Sequence, residues 1–586
     1  MPTVKFNHKD LAKIQARFGI AYSNKLIDTI GDIGCSVEEN NTEEIEIEIF
    51  PDRADLLSPG TLAHASRAFI HKDKSNPKLS IKPSGYSLNV NPSLKNVRPI
   101  IYAAVVRNVD TGNNADENNE FIQTIMDHQE KLHFSLGKRR SKASIGVHDL
   151  SELKPNFEVI TVKENYKFIP LAMNEEMTMK EILTSHPKGI DYAHLLENMT
   201  EYPVIVDGNN SVLSFPPIIN GNHTTVNKST KDFFIDVTGW DSRACECCLL
   251  LVCLELASRG GKIESVDIND CNDNKITTPN GNPVVHNLTL RLLETMLGKK
   301  FSDEELKNAI NRMGGNFLEK TKAPANSPKS GNKMNDVLEG DTILKFEMPR
   351  WRFDILHPID LVEEIAIGHG YEDLGKDVPK TPLPGAALKS SNFIRRMTTC
   401  LQGLGLQQIT SLTLSNENDQ FHNVRWNESD IATTLANPIT VDHTLLRTNL
   451  LPGLLRLLSA NKHNELPQRV YELGEVVRNN SNETHAAWLI ASPMGGFAEG
   501  RGMLQAIMRD MALDKFNVEY GLKETSSNHG PWLKGRGAEI FVSNTKIGEI
   551  GEIDPQISRN FELNVPMHGV ELYIDVLRKL VQDPVH

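Results

Sequence analysis

No stretch of this 586-residue chain is apolar enough for long enough to suggest a membrane span, and the opening MPTVKFNHKDLAKI carries no apolar run of signal-peptide length. Cysteine is sparse and scattered, at Cys35, Cys245, Cys247, Cys248, Cys253, Cys271 and Cys400. No Cys-x-x-Cys pair recurs at zinc-like spacing, so no zinc site is expected. An odd number of thiols fits free cysteines in a reducing compartment. A surplus of positive charge is also lacking: the formal net charge is −13, which argues against a whole-surface nucleic-acid binder but leaves room for a local basic patch. No internal repeat is visible. What is present is enough apolar residue (39%) for several cores and enough length for three to five domains at roughly 100–200 residues each. The expectation is a cytoplasmic, multidomain α+β protein with no membrane association.

Four segments follow from the pattern: 1–95, an N-terminal α/β module; 96–276, a mixed α/β module; 277–376, a helix-turn-helix-like module; and 382–586, mixing helices with alternating strands. In the first, EEIEIEIF puts Ile45, Ile47 and Ile49 on one side of a strand. The second ends in a helix, TGWDSRACECCLLLVCLELASRGG, whose cysteines read as small core hydrophobes. In the third, Ser302 with Glu305 forms a capping box. GKDVPKTPLPG reads as a linker before the last segment.

The third segment also holds Asp354, Asp360, Glu363 and Glu364 among Trp351, Phe353, Ile355, Leu361, Val362 and Ile365. Acids are almost never fully buried unless paired or bound to a cation. Asp360, Glu363 and Glu364 share one face of an expected helix, and like charges at that spacing cost about 0.2–0.5 kcal/mol a pair. A solvated helix start, favoured by the macrodipole, is one reading. A hard divalent cation with oxygen ligands, Mg²⁺ or Ca²⁺, is the other.

The run RFDILHPIDLVEEIAIGHGY resembles the signature of the β subunits of phenylalanine–tRNA ligases, and the resemblance extends along most of the chain. It implies that Asp354, Asp360, Glu363 and Glu364 are Mg²⁺ ligands shared with an α subunit. It also implies an assembly of two α and two β subunits that uses ATP, phenylalanine and tRNA(Phe). QEKLHFSLGKRRSKASIGVHDL and VLSFPPIINGNHTTVNKSTKDFFIDVTGWD are similar to the family's editing module, which hydrolyses tyrosine mischarged onto the tRNA. NPITVDHTLLRTNLLPGLLRLLSANK and RVYELGEVV resemble its C-terminal domain, which implies a class II synthetase-like antiparallel sheet. There the catalytic motifs are degenerate. Val470 stands where an ATP-clamping arginine belongs two residues before Glu472, Arg469 is one place off and on the other side of a strand, and GLGLQQ lacks the third glycine and the arginine of an ATP motif.

An editing site has a physical rationale, because an apolar pocket rejects an added hydroxyl by only roughly 10². The resemblance assigns its pocket to Ser214, Asp236 and Thr238, beside the stiff Pro216–Pro217 turn; as bare residues these are equally ordinary strand-edge polar groups. GKRRSK, with Lys138, Arg139 and Arg140, is the sharpest basic cluster. It reads either as a solvated loop or as a contact for the phosphates of a tRNA 3′ end. His133 and His148 flank it, packed or catalytic. Two rival readings stand beside the ligase subunit: a stand-alone tRNA-editing hydrolase and a non-enzymatic scaffold.

Overall fold

The structure, a computed structural model, describes residues 3–19, 24–71, 76–331, 333–376, 385–427, 429–494, 496–511, 520–525 and 530–581. The chain divides into two compact units, Met1–Pro379 and Lys380–His586. The expected linker GKDVPKTPLPG falls largely outside the described residues. No helix among them is long and apolar enough to cross a membrane.

The first unit opens with β1 (Thr3–Asn7), α1 (His8–Arg17), β2 (Cys35–Asn40) and β3 (Glu44–Ile49), the strands antiparallel in the order β1-β3-β2. β3 follows its alternation: Ile45, Ile47 and Ile49 are buried and the glutamates between them half-exposed. Helix α2 (Pro59–His71) follows, and further along the chain α3 (Ala115–Phe134).

Next comes a ten-stranded sheet built from β4 (Ile81–Val90), β5 (Ile100–Arg107), β6 (Ala143–Asp149), β7 (Phe157–Val162), β8 (Tyr202–Val206), β9 (Val212–Phe215), β10 (Ile219–Asn220), β11 (Phe233–Gly239), β12 (Lys262–Asn269) and β13 (Lys275–Thr278). Its order is β10-β9-β8-β7-β4-β12-β5-β11-β6, with β13 beside β12. β4 pairs in parallel with both β12 and β7, so it belongs to the middle of the second module's sheet. The core is shared as well. Val4, Leu11 and Ile47 lie in one buried cluster with Val106, Ile235 and the cysteines of α4 (Ser242–Ser258). Helix α4 is buried nearly all round, since the sheet covers one side and α2 the other, which is why its sequence has no polar face. Its Glu255 is completely buried and satisfied by Ser58, the Gly60 amide and Arg259.

The sheet curls until its two end strands meet. Asn220 of β10 donates to the Val147 carbonyl of β6 (3.4 Å), and Arg140 donates to the carbonyls of Pro217 (3.1 Å) and Ile218 (2.9 Å).

The third module is more than helix-turn-helix. β14 (Val284–Thr289), β15 (Asn316–Lys322) and β16 (Thr342–Met348) form an antiparallel sheet in the order β14-β16-β15, packed against α5 (Leu290–Leu297), α6 (Asp303–Arg312) and α7 (Pro358–His369). The Ser302–Glu305 capping box starts α6.

The second unit is a seven-stranded sheet. Its elements are α8 (Lys389–Gly403), β17 (Gln407–Gln408), α9 (Leu451–Ala460), β18 (Gln468–Arg478), β19 (Ser481–Ala491), α10 (Phe497–Asp510), β20 (Tyr520–Glu524), β21 (Trp532–Val542), β22 (Thr545–Ile553) and β23 (Met567–Tyr573). The strand order is β17-β18-β19-β23-β22-β21-β20, antiparallel except for β17 beside β18. α8 and α10 cover one face and the leucines of α9 the other.

Candidate functional site

The residues expected to line a pocket, Ser214, Asp236 and Thr238, lie on β9 and β11. Phe233, Ile235 and Val237 point into the core around α4, which turns Phe234, Asp236 and Thr238 to the opposite face. Asp236 and Thr238 are 1% and 3% exposed. Ser214 of β9 is registered opposite Ile205 of β8. Ile205 belongs to the apolar cluster that contains Ala103 and Phe234, the residues flanking Asp236, so register puts Ser214 on the same interior face.

Asp236 Oδ2 lies 2.8 Å from His148 Nε2, and His148 Nδ1 lies 2.8 Å from the Thr224 hydroxyl. With His148 Nε2 donating to the carboxylate, Nδ1 accepts from the Thr224 hydroxyl. Asp236 Oδ1 has no hydrogen bond among the described residues. Room for this pair comes from Gly146, opposite Asp236 on β6: a Cβ there would sit 2.0 Å from Asp236 Oδ2 and 2.7 Å from His148 Nε2. Phe234 and Phe157, with ring centroids 4.2 Å apart, make an aromatic wall beside the histidine.

Thr238 has a different task. Its hydroxyl is taken up by Arg98 Nε (2.7 Å) and Ser144 (3.0 Å). Arg98 is buried, and burial lowers its guanidinium to about 10; it also donates to the carbonyls of Thr238 and Arg140.

The basic cluster divides. Lys138 and Arg139 are exposed, Arg139 over the Phe134 ring. Arg140 corrects the expectation of a nucleic-acid contact. Its side chain points inward to the Pro217 and Ile218 carbonyls, to Glu130 (2.6 Å) and over the Tyr192 ring, so it tethers the Pro216–Pro217 turn. All three take positive φ (46°, 51° and 67°), a left-handed run that L residues adopt at a cost of roughly 1–2 kcal/mol each.

The acidic motif has an internal answer to its charge. Arg352, 5% exposed, grips Asp354 through Nε (2.9 Å) and Glu364 through Nη1 (2.8 Å) and Nη2 (2.6 Å). Burial pushes the Glu364 carboxyl up and Arg352 pulls against it. Asp360 Oδ2 accepts from the amides of Leu356 and His357, both at 2.7 Å, capping α7. Glu363 is exposed, and partial desolvation with Asp52, Asp360 and Asp354 nearby raises its carboxyl. Among the described residues no three His, Cys, Asp or Glu side chains stand together as a metal cluster. Arranged this way, the donor set does not fit a Mg²⁺ ion held by all four carboxylates, because two of them already surround a cation. The apolar residues of the stretch divide between two cores: Trp351 joins the α4 cluster, while Ile355, Leu361, Val362 and Ile365 fill the third module.

In the second unit, Glu472 is bound by Arg447 (2.7 Å) and Ser411 (2.6 Å). Val470, on the same side of β18, is buried under α9, and Arg469 faces away to pair with Glu499 at 2.8 Å.

Sequence reasoning missed Gly146, Thr224, Arg98 and Arg352. Two of these left a trace. A glycine inside a strand pattern marks a close approach, and an arginine two residues before the first acid of a cluster is a counter-ion in plain sight.

Three family descriptions match the chain: "B3/4 domain" over residues 98–246, "tRNA synthetase B5 domain" over 286–371 and "Phenylalanyl tRNA synthetase beta chain CLM domain" over 374–574. The phenylalanine–tRNA ligase beta subunit of Methanosarcina barkeri is 37% identical over 577 residues, which cover 98% of this chain and 99% of that protein. The beta subunit of Archaeoglobus fulgidus is 34% identical over 584 residues, covering 98% of each. A crystal structure of an N-terminal fragment of the Pyrococcus horikoshii phenylalanyl-tRNA synthetase beta subunit superposes with a TM-score of 0.54 at 28% identity, covering 63% of this chain and all of the fragment (100%).

Proposed function

The chain belongs to the phenylalanine–tRNA ligase beta-subunit family and is an aminoacyl-tRNA synthetase subunit, and from that premise we propose that it pairs with an α subunit and carries the site that removes mischarged tyrosine. Ligation of phenylalanine to tRNA(Phe) with ATP belongs to α in this reading. Val470 offers no guanidinium to an ATP phosphate, and its place under α9 is filled by leucine side chains. Purified chain without α is expected to give no phenylalanine-dependent ATP–pyrophosphate exchange.

The observation that carries the editing reading is the single unengaged oxygen of Asp236, a residue 1% exposed beside the Phe234–Phe157 wall. A tyrosyl phenol donates to it. A phenylalanyl ring leaves it unpaired, at a cost of about 1–3 kcal/mol, and the correct product is spared. Ser214 lines the same face. Hydrolysis draws on a positioned water and the hydroxyl of the tRNA's terminal ribose. Lys138 and Arg139 meet the phosphates of that 3′ end; Arg140 holds the turn beneath them. Mg²⁺ enters no step. An ion at the acidic motif would draw on Glu363 and on groups of the partner.

The test is deacylation of preformed Tyr-tRNA(Phe) by the αβ complex. Asp236→Ala is expected to slow it by roughly 10²-fold, in line with a loss of about 1–3 kcal/mol, and to leave phenylalanine charging unchanged. Equal rates for parent and variant would remove Asp236 from the site.

A further inference from the structure

The Asp236 carboxylate can discriminate a phenol from a bare ring only if its geometry is held. A freely rotating carboxyl offers either oxygen to water or to Arg98 and loses the difference. We infer that His148 is the positioning residue of the pocket: by holding Asp236 Oδ2 it leaves Oδ1 as the one acceptor for the substrate hydroxyl. This deepens the editing reading and rests on it.

Three features of the site bear on this. His148 is fully buried, with its ring fixed at both nitrogens: Nε2 to Asp236 and Nδ1 to Thr224, each at 2.8 Å. Gly146 leaves the space the pair occupies, since any Cβ there would overlap Asp236 Oδ2. Thr224 follows the turn that runs on from Ser214, and its hydroxyl gives its single proton to Nδ1. The imidazole therefore links the acceptor on β11 to the segment carrying Ser214, and sets both walls of the pocket together.

The order of groups separates this from nucleophilic catalysis. In a nucleophile–histidine–acid triad the hydroxyl meets Nε2 and the carboxylate Nδ1. Here the two are exchanged, and Thr224 is 1% exposed. No covalent intermediate is assigned to Thr224.

The experiment uses the αβ complex and compares the parent with His148→Leu, His148→Gln and Asp236→Ala, in Tyr-tRNA deacylation and phenylalanine charging. Gln places an amide N–H near the position of Nε2 and Leu offers none. Misplacing a reacting group by an ångström costs on the order of 10²-fold, so His148→Leu is expected to lose deacylation to that extent. His148→Gln is expected to recover most of it, and both are expected to charge phenylalanine normally. Thr224→Val, which removes only the hydroxyl, is expected to fall between them and serves if His148→Leu melts early. Parental deacylation in His148→Leu, or equal loss in Leu and Gln variants that both charge normally, would overturn the positioning role. If Asp236→Ala also matches the parent, the editing reading falls with it; if Asp236→Ala alone is slow, only the role of His148 is lost.

Discussion

Two carboxylate sites in the first unit have opposite designs. At the acidic motif, Asp354 and Glu364 close on one guanidinium, and every oxygen that Arg352 can reach is used. On β11, Asp236 meets an imidazole through one oxygen and keeps the other. A carboxylate pair saturated by arginine is a structural joint, since its geometry is complete without a ligand. A carboxylate held at one oxygen in a buried, aromatic-walled site has an acceptor to offer. The residue type is the same in both places; the number of unused lone pairs separates their roles.

Removing the cation is expected to give the largest effect. Arg352→Met leaves Asp354 and Glu364 without the guanidinium that binds both, with only Arg53, already paired to Asp55, nearby, and breaking a buried ion pair from one side costs about 3–5 kcal/mol. Urea unfolding of the chain followed by circular dichroism would read this; a loss under about 1 kcal/mol would mean the cluster is solvated rather than a joint. Gly146→Ala attacks the pocket instead. Overpacking at the His148–Asp236 pair should cost about 1–3 kcal/mol and abolish Tyr-tRNA deacylation in the αβ complex. A variant that is destabilised but still edits would show that the pair is only a core feature.

A smaller effect separates the two regions by pH. Asp55, beside the acidic motif, is buried, which pushes its carboxyl up, but Arg53 and then Arg352 outweigh burial and bring it to about 2. A carboxyl lowered on folding stabilises above its unfolded value and loses that share as pH falls through the folded one. The share is about 2 kcal/mol, complete above roughly pH 5 and gone below roughly pH 2. Asp55→Asn is expected to flatten the acid side of the urea-midpoint profile; an unchanged slope would assign the acid sensitivity elsewhere. The smallest effect belongs to Glu363→Gln. Its carboxylate is exposed, so stability of the isolated chain should change by no more than about 0.5 kcal/mol. A Mg²⁺-dependent rise in melting temperature that this substitution removes would give the acidic motif a metal role within the isolated chain.

Local pattern determined a good deal on its own. The alternation of EEIEIEIF, the Ser302–Glu305 box and the shared face of Asp236 and Thr238 are short-range periodicities, and each holds in the fold. The clustered cysteines of α4 also read as core residues and are buried, and the offset of Arg469 from Glu472 placed it on the far side of its strand. What only the tertiary structure decided depends on chain segments far apart. β4 falls inside the segment 1–95, yet its parallel neighbours β12 and β7 place it in the middle of the next module's sheet, and no local signal encodes that pairing. Arg139 and Arg140 are adjacent and alike in sequence. A left-handed turn sends one to solvent and the other 77 residues along the chain to the Pro217 carbonyl. His148 and Asp236 are 88 residues apart and meet only because β6 and β11 pair in a register that puts a glycine between them. Side-chain type and spacing set which elements form and which face is polar. The partner of each buried charge is set by strand register and closure of the sheet, because a buried polar group must find its complement wherever the fold brings one.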